Sequence, residues 1–383
     1  MKNKYLLVSP DYPPPLVGGS LVYVHSLVEN CPESLDILTS QMPAGCQEVT
    51  SSRHRLIRSR FLVDSHNPSW RKLFRMYVYM VLWVFVHNLR GRYKTVIVNP
   101  GVVGNSLLIL TLKVLRIPVI GIGYAEELST VIHGDGWKRR IKRTLMKAGY
   151  RRADGFVVVC DFAKNILMAL GLPPERICTL PPPYYVNKLG EGGRKEMGGH
   201  HVLSVGRLIP RKGFGYLIEA IGLLKDEIPD IRLTIVGGGD EREKLEEKIR
   251  VLGLSQSIEI RGQVPDEELR QLYATCDLFV LANLMLENGD CEGAPLVFTE
   301  AGSFGTPVIG GIEGGTSTMI SDGENGFLVN PKNIQELAGK IRHVLLNPEL
   351  GRALGEGGLQ KSRRDHDPVK AGDFFHRMLQ DFS

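Results

Sequence analysis

At 383 residues the chain exceeds what one ordinary hydrophobic core supports and suits two domains, while 43% hydrophobic and 23% charged residues exclude a disordered or fibrous protein. The net charge of +5 hides an asymmetry: residues 1–200 hold 27 Lys and Arg against 14 Asp and Glu, and residues 201–383 hold 20 against 28. Six cysteines, Cys31, Cys46, Cys160, Cys178, Cys276 and Cys291, form no C-x-x-C pair, which excludes a zinc ribbon or disulfide framework and reads as the reduced thiols of a cytosolic protein.

The N-terminus, "MKNKYLLVSPDYPPP", has a short apolar run that meets proline at position 13, so it reads as a first strand rather than a signal peptide. A loop containing Gly18 and Gly19 follows. From Arg53 to Lys94 there are ten Lys or Arg against the single Asp64, with Phe61, Trp70 and Phe74 interleaved. Such a segment suits an anionic membrane surface or anionic acceptor, or else forms a solvated basic face; no nucleic-acid motif accompanies it. "MYVYMVLWVFV", Met76 to Val86, is too short to span a bilayer, which needs about 20 apolar residues, and is expected as a buried helix, with a helix that partly faces lipid as the alternative.

Periodicity then alternates. "KYLLVSP", "TVIVNP", "PVIGIGY" and "GFVVVCD" read as strands, with helical stretches such as "WKRRIKRTLMKAGYRRA" between them. A Pro-rich and then Gly-rich stretch, "TLPPPYYVNKLGEGGRKEMGGH", reads as a linker. The series restarts with "HVLSVGR", "IRLTIVGGG", "IEIRGQV", "DLFVLAN" and "TPVIGGI". The pattern predicts α/β architecture with two Rossmann-like, doubly wound domains. Their expected bounds are 1–185 and 201–365, with a linker at 186–200 and a C-terminal helix at 366–383.

In such domains ligands bind where strands end and helices begin. "VGRLIPRKGF" places Arg207 and Lys212 after the first strand of the second half. In "EGAPLVFTEAGSFG", Pro295 can open a helix, Glu292 stays in the loop before it, Glu300 lies about a turn and a half inside, and Gly305 marks the end. Backbone N–H groups at that helix start would meet a phosphate, and the two carboxylates would accept from hydroxyls. A nucleotide sugar has this pattern, and Arg207 and Lys212 would neutralise its diphosphate.

"GRLIPRKG", "IVGGGDERE", the E-x7-E segment "EGAPLVFTE", "GTPVIGG" and "SDGENGFLV" together resemble the donor half of the GT-B retaining glycosyltransferases, family 4-like, the large group with glycogen synthase-like, sucrose synthase-like and mannosyltransferase members. "DYPPPLVGGSLVYVHSLV" resembles that family's Pro-rich strand end and Gly-Gly loop. The resemblance implies two domains facing across a cleft and transfer of a sugar from a UDP- or GDP-sugar to an acceptor hydroxyl. It further implies a metal-independent reaction, no cofactor, and retention of the anomeric configuration.

By the same resemblance Arg207 and Lys212 contact the donor phosphates, Glu300 the ribose and Glu292 the transferred sugar, while Gly18 and Gly19 form the N-domain loop. Gln263 and Val264 line the base. Gly206, Gly238, Gly293, Ala294, Pro295, Leu296 and Val297 complete the donor-binding set. Where relatives carry a His-Gly-Glu-Glu-like string, this chain has "GYAEELS", so Tyr124 stands at the histidine position with Glu126 and Glu127 after it. Tyrosine can hydrogen-bond a sugar hydroxyl but carries no positive charge. His133 is a substitute for it or an ordinary polar loop residue.

A dehydrogenase is disfavoured because Arg242 occupies the third glycine position of G-x-G-x-x-G. Nothing favours a glycosidase pair over hydroxyl binding by the glutamates, whose bland alternative is a capping or surface role. The rival of another class is a glycosyltransferase-like binding or scaffold subunit that does no chemistry. Expected partners are a nucleotide sugar and a glycan, lipid-linked or small-molecule acceptor, in the cytoplasm with peripheral contact at the inner membrane face.

Overall fold

The computed structural model describes residues 4–12, 19–41, 53–62, 70–88, 93–99, 102–133, 136–183 and 199–382. Gly18, Cys46, most of the expected linker, and parts of the basic segment at 63–69 and 89–92 lie outside the described residues. The chain divides into two compact units, Met1–Pro183 with Pro368–Ser383, and Tyr184–Asp367.

In chain order the first unit contains β1 (Tyr5–Val8), α1 (Gly19–Asn30), β2 (Leu35–Ser40), β3 (Arg55–Ser59), α2 (Trp70–Asn88), β4 (Thr95–Val98), α3 (Val102–Val114), β5 (Val119–Gly123), α4 (Ala125–Ile132), α5 (Trp137–Tyr150), β6 (Gly155–Val158), α6 (Asp161–Ala169) and β7 (Ile177–Thr179). Its sheet runs β3-β2-β1-β4-β5-β6-β7 with every pair parallel. β1, β4, β5 and β6 are buried at every residue. Helices on both faces make that possible, and it is why these strands appear as unbroken apolar runs rather than as alternation.

One expectation needs correcting. The apolar stretch from Met76 to Val86 is helical within α2, but only one side is buried: Met76, Met80 and Val84 face the core, whereas Phe74, Leu82, Phe85 and Val86 are exposed. Among the described residues no helix is long and apolar enough to cross a membrane.

The second unit contains β8 (His201–Val205), α7 (Phe214–Leu224), β9 (Arg232–Val236), α8 (Arg242–Val251), β10 (Ile258–Gly262), α9 (Asp266–Thr275), β11 (Leu278–Leu281), α10 (Leu296–Ser303), β12 (Val308–Gly311), α11 (Thr316–Met319), β13 (Gly326–Val329), α12 (Ile334–Leu345) and α13 (Pro348–Asp365). Its parallel sheet runs β10-β9-β8-β11-β12-β13. Phe214, Leu217, Phe279, Phe298 and Ile309 are among the buried side chains of its core. The edge strand β10 exposes Glu259, as an edge should, because only one side of it is paired.

The last helix, α14 (Pro368–Asp381), packs along α1 in the first unit. Its Phe375, Met378 and Leu379 are buried. Phe382 lies so close to Gly155 of β6 that a Cβ there would come within 2.7 Å of its ring.

Candidate active site

In each sheet the chain reverses its direction of growth between two neighbouring strands, β1 and β4 in one unit and β8 and β11 in the other, so the loops leaving their carboxyl ends diverge and open a crevice. In the second unit the loop after β8 holds Gly206, Arg207, Arg211 and Lys212. It ends in a single 3-10 turn, Pro210–Lys212, stopped by Gly213 at φ +69°. A side chain at Gly213 is impossible without movement, since its Cβ would sit 1.8 Å from the Ala282 carbonyl oxygen at the end of β11. Leu284 N–H also donates to the Arg211 carbonyl at 2.9 Å, so the two switch-point loops are tied to each other.

Glu292 is held in that knot. Arg211 Nε donates to its Oε1 at 2.6 Å and Lys212 Nζ lies 3.1 Å from the same oxygen. Arg211 also reaches Asp290, with its second guanidinium nitrogen at 3.2 Å. Arg211, Lys212 and Glu292 are all buried. Burial by itself would push the Glu292 carboxyl up, but Lys212 and Arg211, by charge and by hydrogen bonds, outweigh it and hold the group below the usual carboxylate range. Both cations sit on Oε1, so Oε2 keeps its lone pairs for a further donor. The sequence reading treated Lys212 and Glu292 as separate contacts and missed Arg211 and Asp290. Two adjacent cations in front of a glycine, "PRKG", were the available signal. Arg207 is exposed at the carboxyl end of β8.

Helix α10 begins at Leu296, with Pro295 in the capping position at φ −65°. It ends as expected at Gly305, φ +70°, where Thr306 N–H donates to the Ala301 carbonyl at 3.1 Å. Its first-turn N–H groups and the positive end of its dipole are an anion-favouring terminus, reached through Gly293 and Ala294, both only partly covered. Leu296 is likewise partly covered, and Val297 packs at the edge of the core. Glu300 is the fifth residue of the helix and accepts from the Tyr273 hydroxyl at 2.7 Å. Tyr273 is fully buried and stacks on Phe304, so the carboxylate is fixed from beneath. Nothing in the sequence around Tyr273 announced this. Gln263 is exposed just after β10, Val264 packs at the edge of the core, and Gly238 stands in open space after β9.

In the first unit Gly19 opens α1 and nothing crowds it. Tyr124, between β5 and α4, donates its hydroxyl to the Ser20 carbonyl at 3.0 Å and lies 3.3 Å from Asn99 Oδ1. Asn99 in turn donates to Ser9 Oγ at 2.8 Å, so the ends of β1, β4 and β5 are joined through side chains. Tyr124 also meets Tyr23 edge-on at 5.9 Å between ring centroids. Asn99 was not anticipated. Glu126 is exposed on the first turn of α4. Glu127 beside it is pushed up to about 8, first by burial and then by Glu126 and Asp11. His133 caps the far end of α4, its Nδ1 3.1 Å from the Ser129 hydroxyl of the same helix; that geometry matches the ordinary polar reading.

The chain has two parallel α/β units of Rossmann type, the second carrying a buried cation–carboxylate cluster at its switch point, as the GT-B glycosyltransferase architecture requires of its two halves. Family models agree: glycosyl transferases group 1 matches residues 191–361 and the glycosyl transferase 4-like domain matches residues 18–183. The chain belongs to this glycosyltransferase family. It is 28% identical over 241 residues to the GDP-mannose-dependent alpha-(1-6)-phosphatidylinositol monomannoside mannosyltransferase of Mycolicibacterium smegmatis, covering 60% of this chain and 63% of that protein. To the protein of the same description from Mycobacterium tuberculosis it is 30% identical, over 64% of this chain and 68% of the relative. The match to the first of these thus spans less than two thirds of that protein's own length. In fold it is similar to sucrose-phosphate synthase from Thermosynechococcus elongatus, with a TM-score of 0.76, 21% identity and 98% of both chains covered. It is likewise similar to Anabaena Alr3699/HepE in complex with UDP, with a TM-score of 0.74, 17% identity, and 99% of this chain and all of that chain covered.

Proposed function

We propose that the protein is a retaining glycosyltransferase that moves a sugar from a nucleotide diphosphate sugar to an acceptor hydroxyl without a bound metal. The carrying observation is the Arg211–Lys212–Glu292 cluster at the carboxyl ends of β8 and β11, which offers cations for a diphosphate beside an oriented carboxylate oxygen. In the proposed roles Arg207 and Lys212 neutralise the diphosphate, the start of α10 donates N–H groups to it, Glu300 holds the ribose, and Glu292 Oε2 accepts from a hydroxyl of the transferred sugar. The bond between the anomeric carbon and the diphosphate oxygen breaks, the acceptor oxygen bonds to the same face of that carbon, and its proton passes to the leaving phosphate.

A GDP- or UDP-linked donor is favoured because the mannosyltransferase relatives are described as GDP-mannose-dependent and the HepE structure carries UDP. In this reading Arg207 and Lys212 supply the positive charge that meets the diphosphate. The acceptor is a glycan, a lipid-linked intermediate or a small molecule, met in the cytoplasm. The basic excess of the first 200 residues supports contact with an anionic inner membrane face.

The test is release of nucleoside diphosphate from a panel of nucleotide sugars in the presence of a chelator. Arg207→Ala and Lys212→Ala should each lose on the order of 10² to 10³ in turnover. Glu300→Ala should weaken binding of the free diphosphate, and Glu292→Ala should spare it while impairing use of the intact donor. Turnover that vanishes with EDTA and returns with Mg²⁺ would contradict the metal-independent reading.

The second reading, a donor-binding subunit without chemistry, rests on Tyr124, whose hydroxyl proton is already engaged inside its own unit. Absence of release from every donor, with diphosphate binding retained, would establish that reading instead.

A further inference from the structure

The first unit holds a feature that donor chemistry does not use. At the carboxyl ends of β2 and β3, on the far side of β1 from β4, a pocket of about 290 Å³ is lined by Ser40, Gln41, Arg60, Phe61, Leu62, Lys72 and Arg75. Among the described residues its lining holds three cations, two hydroxyl- or amide-bearing side chains and no carboxylate. The pocket stands away from the β1–β4 switch point, so what points to a ligand is its lining, which suits a phosphate.

Lys72 and Arg75 belong to the first turns of α2, and the same helix then carries Phe74, 64% exposed, Leu82, 56%, Phe85, 40%, and Val86, 58%. At about 100° per residue these four side chains fall within an arc of roughly 120°. Opposite them lie the buried Met76, Met80 and Val84. An exposed apolar stripe of this length on a charged helix is a contact surface in waiting. Helices α2 and α5 both pack on α3, and α5 carries exposed Trp137 and Ile141, one turn apart. From Trp137 to Tyr150 it carries six Lys and Arg and no acidic residue.

We propose that this face of the first unit docks on an anionic bilayer, with a lipid phosphate held among Arg60, Lys72 and Arg75 and the α2 stripe in the hydrocarbon boundary. On the transferase reading, on which this rests, the acceptor is therefore a membrane-borne amphiphile with a phosphate-bearing head. Charge selects this occupant: a second copy packed face to face would oppose the same cations, whereas an anionic lipid surface neutralises them. Trp137 suits the level of the headgroups, where an aromatic ring can be half apolar and half wet.

The experiment is flotation of the full-length chain with phosphatidylglycerol or phosphatidylcholine vesicles, alongside thermal shift with glycerol 3-phosphate as the soluble headgroup. Binding to the anionic vesicles alone, released by salt, is expected. Arg75→Ser should weaken it about fivefold, the weight of one cation at an anionic surface. The double variant Leu82→Ser with Phe85→Ser should weaken it at least tenfold while keeping the charge, and exposed positions of this kind should leave the melting temperature near wild type. Equal binding to both lipids, no binding, or wild-type binding by both variants overturns the surface. Saturable binding of glycerol 3-phosphate without vesicle binding assigns the pocket to a soluble phosphorylated ligand and overturns the lipid. Self-association lost in the double variant would assign the stripe to a second copy. Release of nucleoside diphosphate by the wild-type chain in lipid-free solution tests the transferase reading separately.

Discussion

Arg211 and Lys212 are neighbours in sequence with different work to do. The guanidinium is planar and forked, so Arg211 binds Glu292 and Asp290 together, while the Lys212 ammonium is a single charged point that touches Glu292 and is left with donors to spare. Arg211 acts through Glu292 as a positioning residue. Arg211→Ala leaves Glu292 with one cation and Asp290 with none from this cluster, and breaking a buried pair of this sort costs about 3–5 kcal/mol. The expected outcome is a lower melting temperature and a turnover reduced at least tenfold, with diphosphate affinity much less affected. Arg211→Lys should recover part of the stability but not the geometry. Calorimetry with the free diphosphate, set beside kcat on the intact donor, makes the check; equal losses in both would place Arg211 on the phosphate instead.

At the scale of elements, what fixes the cluster is the turn between β8 and α7. Gly213 occupies the left-handed region and presses on the Ala282 carbonyl, which closes the 3-10 turn over the end of β11. Gly213→Ala should therefore both strain the backbone, by about 1–3 kcal/mol before any clash is counted, and displace Lys212 beside it. A fall in melting temperature accompanied by weaker diphosphate binding is expected; a stability loss with unchanged binding would mean that the turn does not set the lysine. Helix α2 gives the opposite lesson. Its apolar run promised a buried element, yet α3 covers only one side, and a run of hydrophobic residues does not reveal how many neighbours it will meet.

For the whole molecule the notable event is the return of the chain. After α13 it passes back to the first unit, where α14 covers α1 with Phe375, Met378 and Leu379. Removing residues 368–383 would strip three large apolar side chains from that contact, each worth roughly 1.5–3 kcal/mol when buried. The truncated chain is expected to lose the first unit to proteolysis at lower temperature, while fragments of the second unit persist. Simultaneous loss of both units would show that they unfold as one.

Local pattern was enough for the two α/β halves, for the strands of near-continuous apolar sequence, for the start and end of α10, and for the family, because each depends on residues close together in the chain. Parallel strands buried on both faces must be apolar throughout, and a helix ended by glycine shows its stop in the sequence. Tertiary structure alone decided the rest. Arg211 and Glu292 stand 81 residues apart and Tyr273 and Glu300 stand 27 apart, so their pairing exists only once the sheet has brought β8, α9, β11 and α10 together. Asn99 and Tyr124 meet through the ends of β4 and β5, and the three cations of the first-unit pocket meet through β2, β3 and α2. Composition showed that positive charge was plentiful; only the fold, by setting strand order and helix rotation, decided which charges face a carboxylate, which line a pocket and which face water.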